Sequence, residues 1–179
     1  QKGISHDLKK EFTQNLQVWN AVVDSLTLSV RFEDPEILFQ VGSSELNQHF
    51  KNILDNFFPR FIQILTDPKY KNEIEEIRIE GHTSSEWSGE NSPYQAYFNN
   101  MELSQDRTHN VLIYILSKIK DEKLFNWTKS KLTANGLSSS KLIYNLDQTE
   151  NKERSRRVEF KIKTNAEKQI NKILKQSSK

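Results

Sequence analysis

The stretch IEEIRIEGHTSS, Ile74–Ser85, decides the fold. Within it Ile77 and Ile79 alternate with Arg78 and Glu80, a period of two that sets the isoleucines on one face of a strand and the charges on the other. The strand gives way at Gly81 to a polar run, GHTSSEWSGENSP, which is long for a strand-to-helix connection. Met101, Leu103, Val111, Leu112, Ile115 and Ile119 then predict a helix over residues 100–119. Loops held at strand ends by a rigid sheet are where small polar ligands are usually gripped. Arg107 lies four residues beyond Leu103 and seven beyond Asn100, so all three share one side of the helix. A guanidinium there can take a carboxylate in a bidentate fork; the plainer alternative is a surface arginine with apolar neighbours.

Toward the C-terminus, Leu124, Trp127 and Leu132 suggest a short helical insert before an Asn135-Gly136 turn. Leu142-Ile143-Tyr144 fits a short strand, and Arg157–Lys163 (RVEFKIK) alternates Val158, Phe160 and Ile162 with charges, a clear amphipathic strand. Ile170, Ile173 and Leu174 give the tail a helical stripe. Toward the N-terminus, Leu8, Phe12, Leu16 and Trp19 predict a lead-in helix over Asp7–Val23, and SLTLSVRF (Ser25–Phe32) alternates as a half-buried strand broken by Asp34-Pro35. Capping oxygens at Ser44–Asn47 precede a long amphipathic run from Phe50 to Leu65, which Pro59 is expected to kink or break. This order predicts an α+β class: a two-layer sandwich, with a mixed sheet of about four strands and helices on one face, plus N- and C-terminal helical extensions. The expected division is a lead-in over 1–24, one domain over 25–164 and a basic helical tail over 165–179.

Composition narrows the function classes. The chain has 179 residues, 35% of them hydrophobic, with 10 Phe and 3 Trp, enough apolar surface to fold as one globular domain. No run approaches the roughly 20 apolar residues that span a bilayer. Gln1 leads the sequence and the sole Met is Met101, from which we expect a piece of something longer. Zero cysteine excludes a disulfide framework, thiolate metal sites and a Cys nucleophile. The four His (6, 49, 82, 109) lack metal-ligand spacing, so no metal is expected. Neither a G-x-S-x-G elbow nor a nucleotide-binding glycine motif occurs, so neither hydrolase chemistry nor a bound cofactor is expected. The net charge of +2 conceals 10 Lys and Arg against 3 Asp and Glu from Asn151 onward. That basic end allows a nucleic-acid-binding module. Glu159 and the apolar positions interrupt the stripe, so nucleic acid is not the expected partner.

Three segments in order, IRIEGHTSS, NNMELSQDRTHNVLIYIL and ENKERSRRVEFKIK, resemble the peptidoglycan-binding domain of the OmpA C-terminal and MotB family. The family pattern is an apolar strand, G-H-T-D, a loop, Y-N-x-x-L-S-x-x-R-A on an amphipathic helix, then N-R-R-V-E on a final strand. Upstream, SVRFEDPEILFQVGSSELN is similar to its opening strand and F-x-x-G-S-A-x-L approach. The resemblance spans about Ser25 to Thr164 and implies noncatalytic binding of the peptidoglycan stem peptide. The Asp of G-H-T-D would receive the ligand's ammonium and the helix Arg its carboxylate. Arg107 matches that Arg, Asn100 and Leu103 match the N and L, Thr83 matches the T, and Arg156 and Arg157 match the R-R pair, without saying which faces the pocket.

Departures sit at the site. Ser84 stands where the family has Asp, Asn99 where Tyr often precedes Asn, and Thr108 where Ala follows Arg. Glu86 or Glu90 in the long loop are candidate replacements for the lost carboxylate, and Trp87, Tyr94 and Tyr97 either stack on ligand or cap the loop. Ser84 also keeps open a protein-interaction scaffold with a degenerate pocket. Within the family, the lead-in helix and the loop look closest to MotB-like stator subunits, with the MotB-like subunit of Zorya-type anti-phage systems one such relative. That implies a periplasmic domain anchored in the inner membrane, a homodimer and an inner-membrane motor partner reached through a preceding segment.

Overall fold

The alternating stretch forms β3 (Ile74–His82), beside the centre of the sheet in a computed structural model that describes residues 2–40 and 42–178. Gln1, Val41 and Lys179 lie outside the described residues. The other strands are β1 (Ala21–Asp24), β2 (Ser29–Glu33), β4 (Leu132–Gly136) and β5 (Arg157–Thr164), ordered β1-β2-β5-β3-β4. Only β3 and β4 pair in parallel; β1·β2, β2·β5 and β5·β3 are antiparallel. The helices are α1 (Lys2–Phe12), α2 (Gln48–Leu65), α3 (Pro93–Ser117), α4 (Glu122–Lys131), the one-turn α5 (Lys152–Ser155) and α6 (Ala166–Ser177). The α+β class thus holds, with a five-stranded mixed sheet where about four strands were expected. No helix among the described residues is long and apolar enough to cross a membrane.

Register puts one apolar face together. Val30 and Ile79 flank Phe160, Phe32 faces Val158, and Ile77 faces Ile162, so alternate residues of three strands meet the helices. Phe57 of α2 inserts among Phe12, Phe32, Phe61 and Phe160, with ring centroids 4.9–5.1 Å away. These offset and edge-on contacts add stabilisation beyond the area they remove from water. The opposite sheet face is charged: Arg31 pairs with Asp24 and Glu33, Arg78 with Glu76 and Glu80, and Arg157 with Glu159.

Several elements differ from their expected form, each for a local reason. The predicted Ser25–Phe32 strand is half turn: Asp24 Oδ1 accepts the amides of Leu26 and Thr27, Leu28 has φ 52°, and Leu26 is fully exposed. The hairpin partner is Ala21–Asp24, which the lead-in helix was expected to cover. That helix stops at Phe12, and bonded turns carry Leu16 and Trp19 onward before Asn20 enters the strand with φ 51°. α1 is no free extension, because Ile4, Leu8 and Phe12 are fully buried in the common core. α2 continues through Pro59, whose exposed position leaves the carbonyl it cannot bond to water. The expected Asn135-Gly136 turn is the end of strand β4, and of Leu142–Tyr144 only Tyr144 makes a bridge, to Glu150.

Candidate functional site

The site lies where the C-terminal ends of β3 and β4 meet α3. Gly81 and Gly136 are register partners, and α3 presses on both. A Cβ on Gly136 would stand 2.3 Å from the Gln105 amide nitrogen, and one on Gly81 would stand 3.0 Å from Thr108 Cγ2. Two missing side chains therefore allow the close helix–sheet approach that brings Asn100, Leu103 and Arg107 to the strand-end loop. Ser92 caps α3 and Pro93 opens it, so the helix starts two turns before the expected Asn100.

Arg107 is 8% exposed. Its Nε donates to the Ser43 carbonyl at 2.9 Å, and its guanidinium lies 4.6 Å from the centroid of Phe39. Burial presses its pKa below the ordinary arginine value, and the charge of Glu36 opposes that shift. The guanidinium forms no ion pair among the described residues and faces an open pocket of about 740 Å³. Thr83, Ser84, Asn100, Leu103 and Arg156 share that lining, as do Glu86, Glu90 and Trp87. Thr83 and Ser84 are held in place: the Thr83 amide donates to the Ser138 carbonyl at 2.9 Å, and Thr83 Oγ1 to the Ser84 carbonyl at 2.8 Å. Asn100 Nδ2 donates to the Ser84 and Glu86 carbonyls, so this side chain clamps the loop to the helix.

Arg156 faces the pocket and Arg157 does not, which corrects the inclusion of Arg157 among the site residues. Arg157 begins β5 opposite His82, and the parity of the strand turns it to the charged face. There its guanidinium donates to Glu159, the Ser155 carbonyl and the Lys141 carbonyl. The two candidate replacement carboxylates are already engaged. Glu86 is paired with Lys152 and Arg156, and the Lys152 hydrogen bond leads in holding its carboxyl below the usual value. Glu90 Oε1 accepts the Ser92 amide at 2.9 Å. Tyr94 stands 77% exposed, and Tyr97 packs edge-on against Phe98. Sequence reasoning missed Glu36, which lines the pocket beside Pro35 and Gly42. Its signal was position alone, inside the segment that resembles the family's approach to the first long helix.

Beside the pocket, which His82 also lines, Glu80, His82 and Glu159 bring potential ligand atoms within 4.8 Å of one another, a cluster that no spacing within one segment could reveal. Its charges are compensated by cationic side chains. Glu80 accepts from Arg78 Nε at 2.9 Å and lies 3.2 Å from His82 Nε2, while Glu159 accepts from Arg157 Nε at 2.8 Å. Burial pushes the Glu80 carboxyl up, but the bonds from His82 and Arg78 outweigh it and hold the pKa at about 2.

Fold and strand order together define an α+β domain of the OmpA-like type. The OmpA family profile matches residues 38–156, and the chain belongs to that family. Zorya protein ZorB of Escherichia coli (Crooks strain) is 48% identical over 176 residues, covering 98% of this chain and 74% of that protein. Among solved structures, a MotB-like protein from Desulfovibrio vulgaris superposes with a TM-score of 0.62 at 24% identity, covering 91% of this chain and 93% of that one. The cell wall anchor of the T6SS from Pseudomonas aeruginosa follows at 0.58 and 18% identity, covering 88% and 96%. At these identities the two structures establish the shared fold.

Proposed function

We propose that this chain is a noncatalytic module that holds the stem peptide of peptidoglycan and ties a membrane complex to the cell wall. One observation carries the reading: a buried arginine, fixed by Ser43 and Phe39, presents to an open pocket a guanidinium that has no carboxylate partner among the described residues. A free carboxylate of a peptide end is the natural occupant, because a bidentate, charge-assisted contact offsets the burial of the cation. Membership of the OmpA family supports it, as does the fold shared with a cell wall anchor. The kinship with ZorB supports a MotB-like stator role in a Zorya-type anti-phage complex. In this reading the chain is the periplasmic part of an inner-membrane-anchored homodimer that works with a motor partner.

Co-sedimentation with purified sacculi tests it. The parent should pellet with the sacculi and Arg107→Ala should stay in the supernatant. Equal pelleting of both, or of neither, defeats the reading. Ser84 favours a second reading, a protein-interaction scaffold whose pocket takes no peptide, under which neither protein pellets.

A further inference from the structure

We propose that Glu36 is the ammonium acceptor of this pocket, supplying from the loop before α2 the carboxylate that the strand end lacks at Ser84. The inference rests on the peptide-binding reading and specifies its ligand: an amino-acid end carrying both a carboxylate and a free amine. Arg107 satisfies only the first of these, and an ammonium brought into the pocket without an acceptor would lose hydration without compensation. Ser84 is a poor acceptor. It is 2% exposed, neutral, and its Oγ already accepts the Glu86 amide at 3.3 Å. Glu86 is neutralised by Lys152 and Arg156, and Glu90 is turned back onto the Ser92 amide.

Glu36 differs from both. It lines the same pocket as Arg107 and Ser84, its side chain is exposed, and it forms no hydrogen bond or ion pair among the described residues. Its backbone is nevertheless fixed. Pro35 is buried, the amides of Leu38 and Phe39 both bond the Pro35 carbonyl at 3.0 Å, and Asp34 enters the turn with φ 62°. The same segment continues to Phe39, under the Arg107 guanidinium, and to Ser43, which accepts from it. One short stretch therefore holds the cation that takes a carboxylate and presents the anion that takes an amine. The charge of Glu36 also acts on Arg107, opposing the effect of burial on the guanidinium.

Calorimetric titration with a synthetic stem tripeptide that ends in a free zwitterionic centre, and with the same peptide acetylated on that amine, tests the assignment. For the parent, acetylation should weaken binding about tenfold, the effect of losing one charge-assisted contact. Glu36→Gln should bind the free peptide about tenfold more weakly and become indifferent to acetylation, with thermal unfolding unchanged because the side chain is exposed and unpaired. Adding Ser84→Asp to Glu36→Gln should restore both affinity and discrimination. A Glu36→Gln protein that binds and discriminates like the parent overturns the assignment while the peptide reading stands. If the parent binds neither peptide and ignores sacculi, the peptide reading itself falls, and this assignment with it.

Discussion

Glu80 and Glu159 face each other across β3 and β5, each less than a tenth exposed, and only cationic neighbours make that arrangement tolerable. His82 Nε2 faces the Glu80 carboxylate at 3.2 Å, and its buried Nδ1 has no hydrogen-bond partner among the described residues. The folded-state value of about 2 for Glu80 lies below the ordinary 4.5. Such a group contributes stability that is fully present above about pH 4.5 and is lost as pH falls toward 2. A shift of this size corresponds to roughly 3 kcal/mol. Thermal unfolding of the parent and Glu80→Gln should therefore differ most near neutral pH, with the gap closing between about pH 5 and pH 2. A gap that stays constant across that window would mean the carboxylate is not held ionised by the fold.

At the level of elements, the decisive contact is the seating of α3 on the paired glycines of β3 and β4. Gly136→Ala would drive a methyl group into the Gln105 backbone, which cannot swing aside as a side chain end can. We expect a loss of about 1–3 kcal/mol, with weakened sacculus binding, since the same displacement moves Arg107. Unchanged melting would show that the helix rides higher on the sheet than described. The elements that build the site were largely legible. The alternation of Ile77 and Ile79 marked β3, the stripe from Met101 to Ile119 marked α3, and the family resemblance singled out Arg107. The assignments that failed depend on backbone geometry that composition does not encode. An Asx turn at Asp24 cut an alternating run into a hairpin, and a five-residue parallel edge strand resembled a turn. Which arginine of the pair reaches the pocket is a matter of parity at the first residue of β5. Glu36 escaped notice because its neighbour Arg107 is brought close only by tertiary folding.

For the whole molecule, the uneven charge of the sequence resolves into two populations. Lys152 and Arg156 neutralise Glu86 at the pocket rim, and Arg157 is consumed on the charged sheet face, so part of the basic end belongs to the body. Lys168, Lys172 and Lys175 lie on α6, which leaves β5 at the end away from the pocket, where the Asn165 amide bonds the Glu73 carbonyl. Ile170, Ile173 and Leu174 of α6 are all more than half exposed. α1 is the opposite case. Its Ile4, Leu8 and Phe12 are fully buried, Tyr70 donates to Asp7 at 2.5 Å, and Arg60 ties Glu11 and Asn15 while lying over the Phe12 ring. Three such side chains at about 1.5–3 kcal/mol each match a large part of the 5–15 kcal/mol that typically holds a domain together. Deleting residues 1–12 should therefore abolish cooperative unfolding or lower Tm steeply. Deleting residues 166–179 should leave Tm within a few degrees of the parent, and sacculus binding intact. Calorimetry and co-sedimentation of the two truncated chains separate the cases. A tail deletion that lost sacculus binding would place the basic helix in the wall contact, and a stable chain lacking α1 would return that helix to the status of a lead-in.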